Sequence, residues 1–336
     1  MVEEKVLKQN FISILSRGAK NTTYKFALAR FLLDYSIKFE PDYIENKVLK
    51  NEKELVSYQD IANSFLRYYW HQECRYRIRQ NYDPNTLPSV ISIIREEFGE
   101  KYIPESFEKM PKFKIEKAQT EIKQRVFGKE KNKTSQVVPR FQNIKFGNST
   151  ERKQIFYDYD DEKARLEIKP EALKFFHDNH TFLMKLVILE WCKFLEKINT
   201  LPRLIAKVES AENKRSSIRK YVKIFQDFKS CFYCNKSLDQ VEIHVDHFIP
   251  WSYIFEDEAW NLVLTCRKCN LRKSDSLTNS DFCDDLIKRN INHYKEIESL
   301  RISLLKLNVN QNKWEKEIKY HYTTCKEYGF NLVNLP

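Results

Sequence analysis

The chain has 336 residues, 42% of them apolar, and 58 lysines and arginines against 47 aspartates and glutamates, a formal net charge of +11. That length suits one large domain or two to three smaller ones, with apolar residues ample for a core. Five glycines are too few for a sheet rich in tight turns and favour helices. The cationic excess suits a polyanionic partner, because lysines and arginines that neutralise phosphates release counterions. A solvated lysine-rich surface is the plainer account of the same number.

In chain order, the opening MVEEKVLKQN is charged and carries no secretory pattern. Asn21, Thr22 and Thr23 are predicted to cap a helix carrying Phe26, Leu28, Phe31, Leu32 and Tyr35. Ser57 with Asp60 forms a capping-box variant ahead of a second helix, whose Ile61, Phe65, Leu66, Tyr69 and Trp70 lie at helical spacing. Such an aromatic stripe reads as core rather than as a base-stacking platform. A third helix is expected over Ser89–Phe98, after turn signals at Pro84 and Pro88.

Residues 111–135 carry eight Lys/Arg against three Glu. Within them 129–135 read as a flexible solvated joint or, more sharply, as an arm that contacts phosphate. β-prone pieces follow at 137–138, 141–146, 155–159 and 166–168, enough for a minor β layer around 137–168. One long helix is expected from 170 to 198, with Pro170 in its first turn. Its apolar run 182–195 is interrupted by Lys185, Glu190 and Lys193, so it reads as buried rather than membrane-spanning. The protein is expected to be soluble and cytoplasmic, with no membrane partner.

Residues 201–230 again hold eight Lys/Arg against three acids, in one or two amphipathic basic helices. Arg215, Arg219, Lys220 and Lys223 on them are candidate nucleic-acid contacts. Beyond Ser276 apolar residues return at helical spacing, from Leu286 to Leu305. The expected divisions are a helical N-terminal region for targeting, partners or regulation (1–135) and a β layer with a long helix (136–200). A basic helix leading into the chemistry-bearing segment (201–285) and a C-terminal helical region (286–336) complete the chain.

The chemistry concentrates in 231–275. Two Cys-x-x-Cys pairs, Cys231/Cys234 and Cys266/Cys269, stand 31 residues apart and bracket Asp246-His247. In a reducing compartment such pairs are metal ligands more often than disulfides, and four thiolates match a closed, structural tetrahedral zinc site. Zinc of this kind can contribute on the order of 10 kcal/mol to folding a small domain. Residues 241–248 and 261–265 read as strands joined by a loop at 250–258, and a helix begins near Cys269. That order brings Asp246 and His247, at the end of one strand, beside Asn270 on the helix. One carboxylate (Asp246) and one amide oxygen (Asn270) suit a hard Mg²⁺ or Mn²⁺ ion and leave room for phosphate oxygens. His247 can take a proton from an attacking water. Arg267, Arg272 and Lys273 surround the helix start as candidate phosphate contacts. His244 shares the face of Asp246, as a supporting or phosphate-contacting residue or simply a partly exposed one. Trp251 and Trp260 read as packing residues. Cys74, Cys192, Cys283 and Cys325 read as small core residues.

These residues carry a resemblance. The segment resembles the HNH endonuclease family, the ββα-metal nucleases, in its zinc-stapled four-cysteine form. The resemblance implies a catalytic histidine at His247, metal ligands at Asp246 and Asn270, and a supporting asparagine at Asn261 that bonds across the loop. The family name implies histidine at the last position, and asparagine there is similar to CRISPR effector HNH domains. The expected fold is therefore mainly α, with a small α+β ββα-metal domain holding a structural zinc site. The expected activity is one-metal hydrolysis of double-stranded DNA, in a restriction or phage-defence setting. Two other readings stay open: a non-catalytic zinc module that binds nucleic acid, and an RNA-directed HNH nuclease. Duplex cleavage by a single-site enzyme suits a homodimer or a partner protein that controls activity.

Overall fold

A computed structural model describes residues 4–17, 22–83, 85–100, 103, 106–130, 133–134, 137–146, 149–152, 154–209, 218–239 and 241–336. The chain is mainly helical, with small antiparallel sheets. Ser57 caps the helix Tyr58–Cys74 by accepting the Asp60 N–H at 3.1 Å. Ile61, Phe65, Leu66, Tyr69 and Trp70 all face inward with no exposed surface, so the stripe is core. It packs on the helix His180–Glu196, where Trp191 lies 5.8 Å from the Tyr69 ring and stacks on Phe26 at 6.2 Å. Helix Ser89–Phe98 forms as expected, directly after Pro88. The four unpaired cysteines, Cys74, Cys192, Cys283 and Cys325, are buried.

Several expectations are corrected by long-range packing. Thr23 stands at the start of helix Tyr24–Ser36, but its hydroxyl makes no cap bond. It donates to Gln80 at 2.7 Å and lies 2.9 Å from the Tyr69 hydroxyl; Asn21 and Pro84 lie outside the described residues. The single helix expected over 170–198 is two, Pro170–Asp178 and His180–Glu196. At the break, Asn179 turns its side-chain amide back to the Phe175 carbonyl and to Glu4, both at 3.1 Å. This is the competition with helical bonding that makes asparagine a breaker. Residues Val137–Phe141 form a helical turn rather than a strand, because Val138 and Phe141 are buried and the Val138 carbonyl accepts the Tyr157 hydroxyl at 2.8 Å. Burial outweighs β propensity there. Residues 112–127 are a helix running into one wide π turn. In the segment read as a joint, Lys129–Glu130 pairs with Lys133–Thr134, and 131, 132 and 135 lie outside the described residues.

The rest of the β layer forms. Tyr157–Asp160 and Arg165–Ile168 pair in a hairpin, and a strand the sequence reading missed, Glu54–Ser57, joins it with Glu54 opposite Ile168. Asn143–Phe146 and Ser149–Arg152 make a separate pair. One sheet thus combines residues from either side of position 135. After short helices Leu204–Glu209 and Lys220–Ile224, the chain enters the cysteine-bracketed segment. Helices Ser280–His293, Glu298–Leu307 and Trp314–Glu327 then close over it, and Leu277 exchanges backbone bonds with Asn331 and Val333. Lys207, fully buried, donates to the Pro202 and Tyr253 carbonyls and so ties the helical body to this segment. Among the described residues no helix is long and apolar enough to cross a membrane.

Candidate active site

The site begins with a local turn. Asn235 takes the left-handed conformation (φ 57°), which asparagine tolerates better than most residues. Its N–H meets the Cys231 carbonyl at 2.9 Å, and the Cys231 N–H meets the Lys236 carbonyl at 2.8 Å. The turn folds Cys231 and Cys234 toward Cys266 and Cys269, which end one strand and open the next helix. All four sulfurs lie within 4.8 Å of one another, with Cys234 and Cys266 at 3.9 Å. Four zinc–sulfur bonds of about 2.3 Å place sulfurs roughly 3.8 Å apart, so the donor set fits zinc. Burial pushes the Cys231 and Cys269 thiols up. At Cys266 burial acts the same way but is outweighed by the Cys269 N–H and the neighbouring sulfurs, which bring it to about 7. Three of the four sulfurs belong to buried cysteines and Cys234 to a half-buried one, and a bound cation would let all four share the site as thiolates.

Strands Ile243–His247 and Leu262–Cys266 pair antiparallel, Asp246 opposite Val263 and His247 opposite Leu262. Helix Arg267–Lys273 packs across them. Asn270 and Lys273 lie one turn apart on the helix, and His244 and Asp246 lie two residues apart on the strand, so both pairs share a face. Asn270 Nδ2 is 3.3 Å from His244 Nδ1, and Lys273 Nζ is 3.0 Å from Asp246 Oδ2. His244 Nε2 in turn is 3.4 Å from Glu242. The Tyr233 hydroxyl also donates to Asp246 Oδ2, at 2.6 Å. Burial, and then the Asp246 carboxylate, push the Tyr233 phenol up, which keeps it a donor. Both donors meet the same carboxylate oxygen, Oδ2.

His247 is 7% exposed, and its Nε2 lies 2.9 Å from Asp257 Oδ1. The loop behind it is pinned by Asn261, whose side chain bonds both the N–H and the carbonyl of Ile249 at 2.8 Å. The Phe248 N–H meets the Asn261 carbonyl at the same distance.

The expected nucleic-acid contacts divide. Arg267 and Arg272 are exposed on the helix, as are Arg219, Lys220 and Lys223 on the helix beside the first strand; Arg215 lies outside the described residues. Lys273 departs from expectation. Its side chain is fully buried, bonded to Asp246 and to the His247 carbonyl at 2.7 Å, so it faces the strand and not a phosphate. Of the other positive charges in 201–230, Lys207 is buried and Arg203 pairs with Glu256. Trp260 is buried, and Trp251 is half-buried against Phe255. Sequence reasoning missed Tyr233 and Asp257. Tyr233 stood in plain view between the first two cysteines, whereas Asp257 carried no signal beyond its place in an acidic loop.

Neither a curated protein nor a solved structure matches this chain. Residues 231–278, which hold the cysteine cluster, both strands and the helix, match the family model of the HNH endonucleases, so this segment of the chain is similar to that family.

Proposed function

We propose that the protein is a metal-dependent DNA endonuclease that hydrolyses phosphodiester bonds, with His247 as general base. The observation that carries this reading is one strand–strand–helix frame that carries Asp246, a histidine held by a carboxylate and Asn270, with Asp246 against Lys273 and Asn270 against His244 where that helix crosses the first strand. His247 takes a proton from water, the resulting hydroxide forms the new bond to phosphorus, and the P–O electron pair leaves with the 3′ oxygen. Asp246 and Asn270 would hold Mg²⁺ or Mn²⁺, which supplies positive charge to the reacting phosphate and the leaving oxygen. The exposed cations Arg267, Arg272, Arg219, Lys220 and Lys223 fit the phosphate backbone on either side. The family resemblance adds restriction or phage defence as the setting, with DNA preferred over RNA as substrate.

The deciding experiment is plasmid cleavage with Mg²⁺, Mn²⁺ or EDTA, wild type beside His247→Ala, with an RNA of equal length as competitor. Metal-dependent nicking that falls by about 10² or more in the variant supports the reading. Equal cutting by both proteins would remove His247 as base. Binding without cutting by the wild type would favour the non-catalytic module.

A further inference from the structure

We propose that Asp257 is a positioning residue for the base: its carboxylate fixes the tautomer and the ring orientation of His247. The catalytic consequence rests on the nuclease reading; the tautomer rests on the geometry alone.

Three consecutive acids on this loop each engage a different element. Glu256 pairs with Arg203, at the end of the helical body. Glu258 accepts from Ser303 at 2.7 Å and meets Lys306 at 3.1 Å, both on a C-terminal helix. Between them, Asp257 meets His247. Its backbone is held as well, since the Tyr221 hydroxyl donates to the Asp257 carbonyl at 3.0 Å. Two residues earlier, Phe255 turns the chain in the left-handed conformation (φ 62°). Three residues on from Glu258, the Asn261 N–H bonds its carbonyl at 2.9 Å. The carboxylate therefore sits on a fixed backbone, with side-chain exposures of 20% for Asp257 and 8% for His247.

A carboxylate only accepts, so a contact of 2.9 Å requires that His247 Nε2 carry the proton. The lone pair of the neutral ring then lies on Nδ1, the nitrogen that receives the proton from water. Once it arrives, Asp257 stabilises the imidazolium. A loop carboxylate that orients a histidine base is the logic by which hydrolytic triads fix their imidazole.

Long-range ¹⁵N–¹H correlation of the imidazoles, with the His247 signals assigned by their loss in His247→Ala, reads the tautomer directly. The wild type is expected to show the Nε2–H form, and Asp257→Ala to lose that preference. A wild-type Nδ1–H form, or an unchanged spectrum in Asp257→Ala, would overturn the proposal. In cleavage, Asp257→Ala is expected to lower kcat by about tenfold to a hundredfold with little change in KM. Asp257→Glu should recover part of the loss, and adding Asp257→Ala to His247→Ala should cost nothing more. An additive loss in the double variant, or a change confined to KM, would show that Asp257 acts elsewhere. A wild type that cuts no nucleic acid sinks the nuclease reading instead, and the spectrum still decides the pair.

Discussion

Tyr233, between the first two cysteines, donates its hydroxyl to Asp246 at 2.6 Å, so the cysteine cluster and the candidate cation ligand are mechanically one unit. Bonds of this kind behind a metal ligand set its orientation, and removing them typically costs about 10- to 100-fold in affinity or activity. Tyr233→Phe should therefore keep the fold and raise the Mg²⁺ concentration for half-maximal cleavage by about tenfold. A metal titration of cleavage checks it, and an unchanged midpoint would detach the staple from the site.

Lys273 gives a test in which two roles separate. As a buried partner of Asp246 and the His247 carbonyl, its replacement by methionine leaves a carboxylate short of its cation, at a cost of about 3–5 kcal/mol. Urea unfolding of Lys273→Met measures this. A phosphate contact would instead leave stability alone and lower the salt dependence of DNA binding by about one unit of slope.

Zinc should copurify at one ion per chain, read by elemental analysis. Its removal by a strong chelator, or Cys231→Ser, should lower the melting temperature and abolish cleavage together, because the four ligands join the first turn to the second strand and the helix. Full stability and activity in the zinc-free protein would make the cluster dispensable.

Lys207 makes stability depend on pH. Burial brings its ammonium down from the usual value of 10.5 to about 7. Between those two values the unfolded chain holds a proton that the folded chain lacks, so stability from this group rises with pH across that window. Below about 7 both states are protonated and its contribution is flat. The neutral amine still has hydrogens for the Pro202 and Tyr253 carbonyls. Lys207→Met should flatten the wild-type slope of unfolding free energy between pH 7 and pH 10, and equal slopes would refute the assignment.

The sequence by itself determined whatever is encoded at short range. Cys-x-x-Cys turns are local, so their ligand chemistry could be read directly; Asp246, His247 and Asn270 stood out as candidates because their residue types suit hard-metal and proton chemistry, and Asn261 through the family resemblance. The stripe from Ile61 to Trp70 and the cap at Ser57 were legible for the same reason: one helix supplies both the period and the cap.

Tertiary structure alone decided the contacts between residues far apart. Which face of the helix Arg267–Lys273 is buried depends on where a strand more than twenty residues earlier lies, so Lys273 turned from an expected phosphate contact into the partner of Asp246. The pairing of Glu54–Ser57 with Arg165–Ile168 spans over a hundred residues, and no local pattern announces it. Asp257 meets His247 only because Arg203, Tyr221, Ser303 and Lys306 hold its loop from three separate parts of the chain. Hydrogen bonds and burial act through space, and periodicity in sequence records only the part of that space within one element.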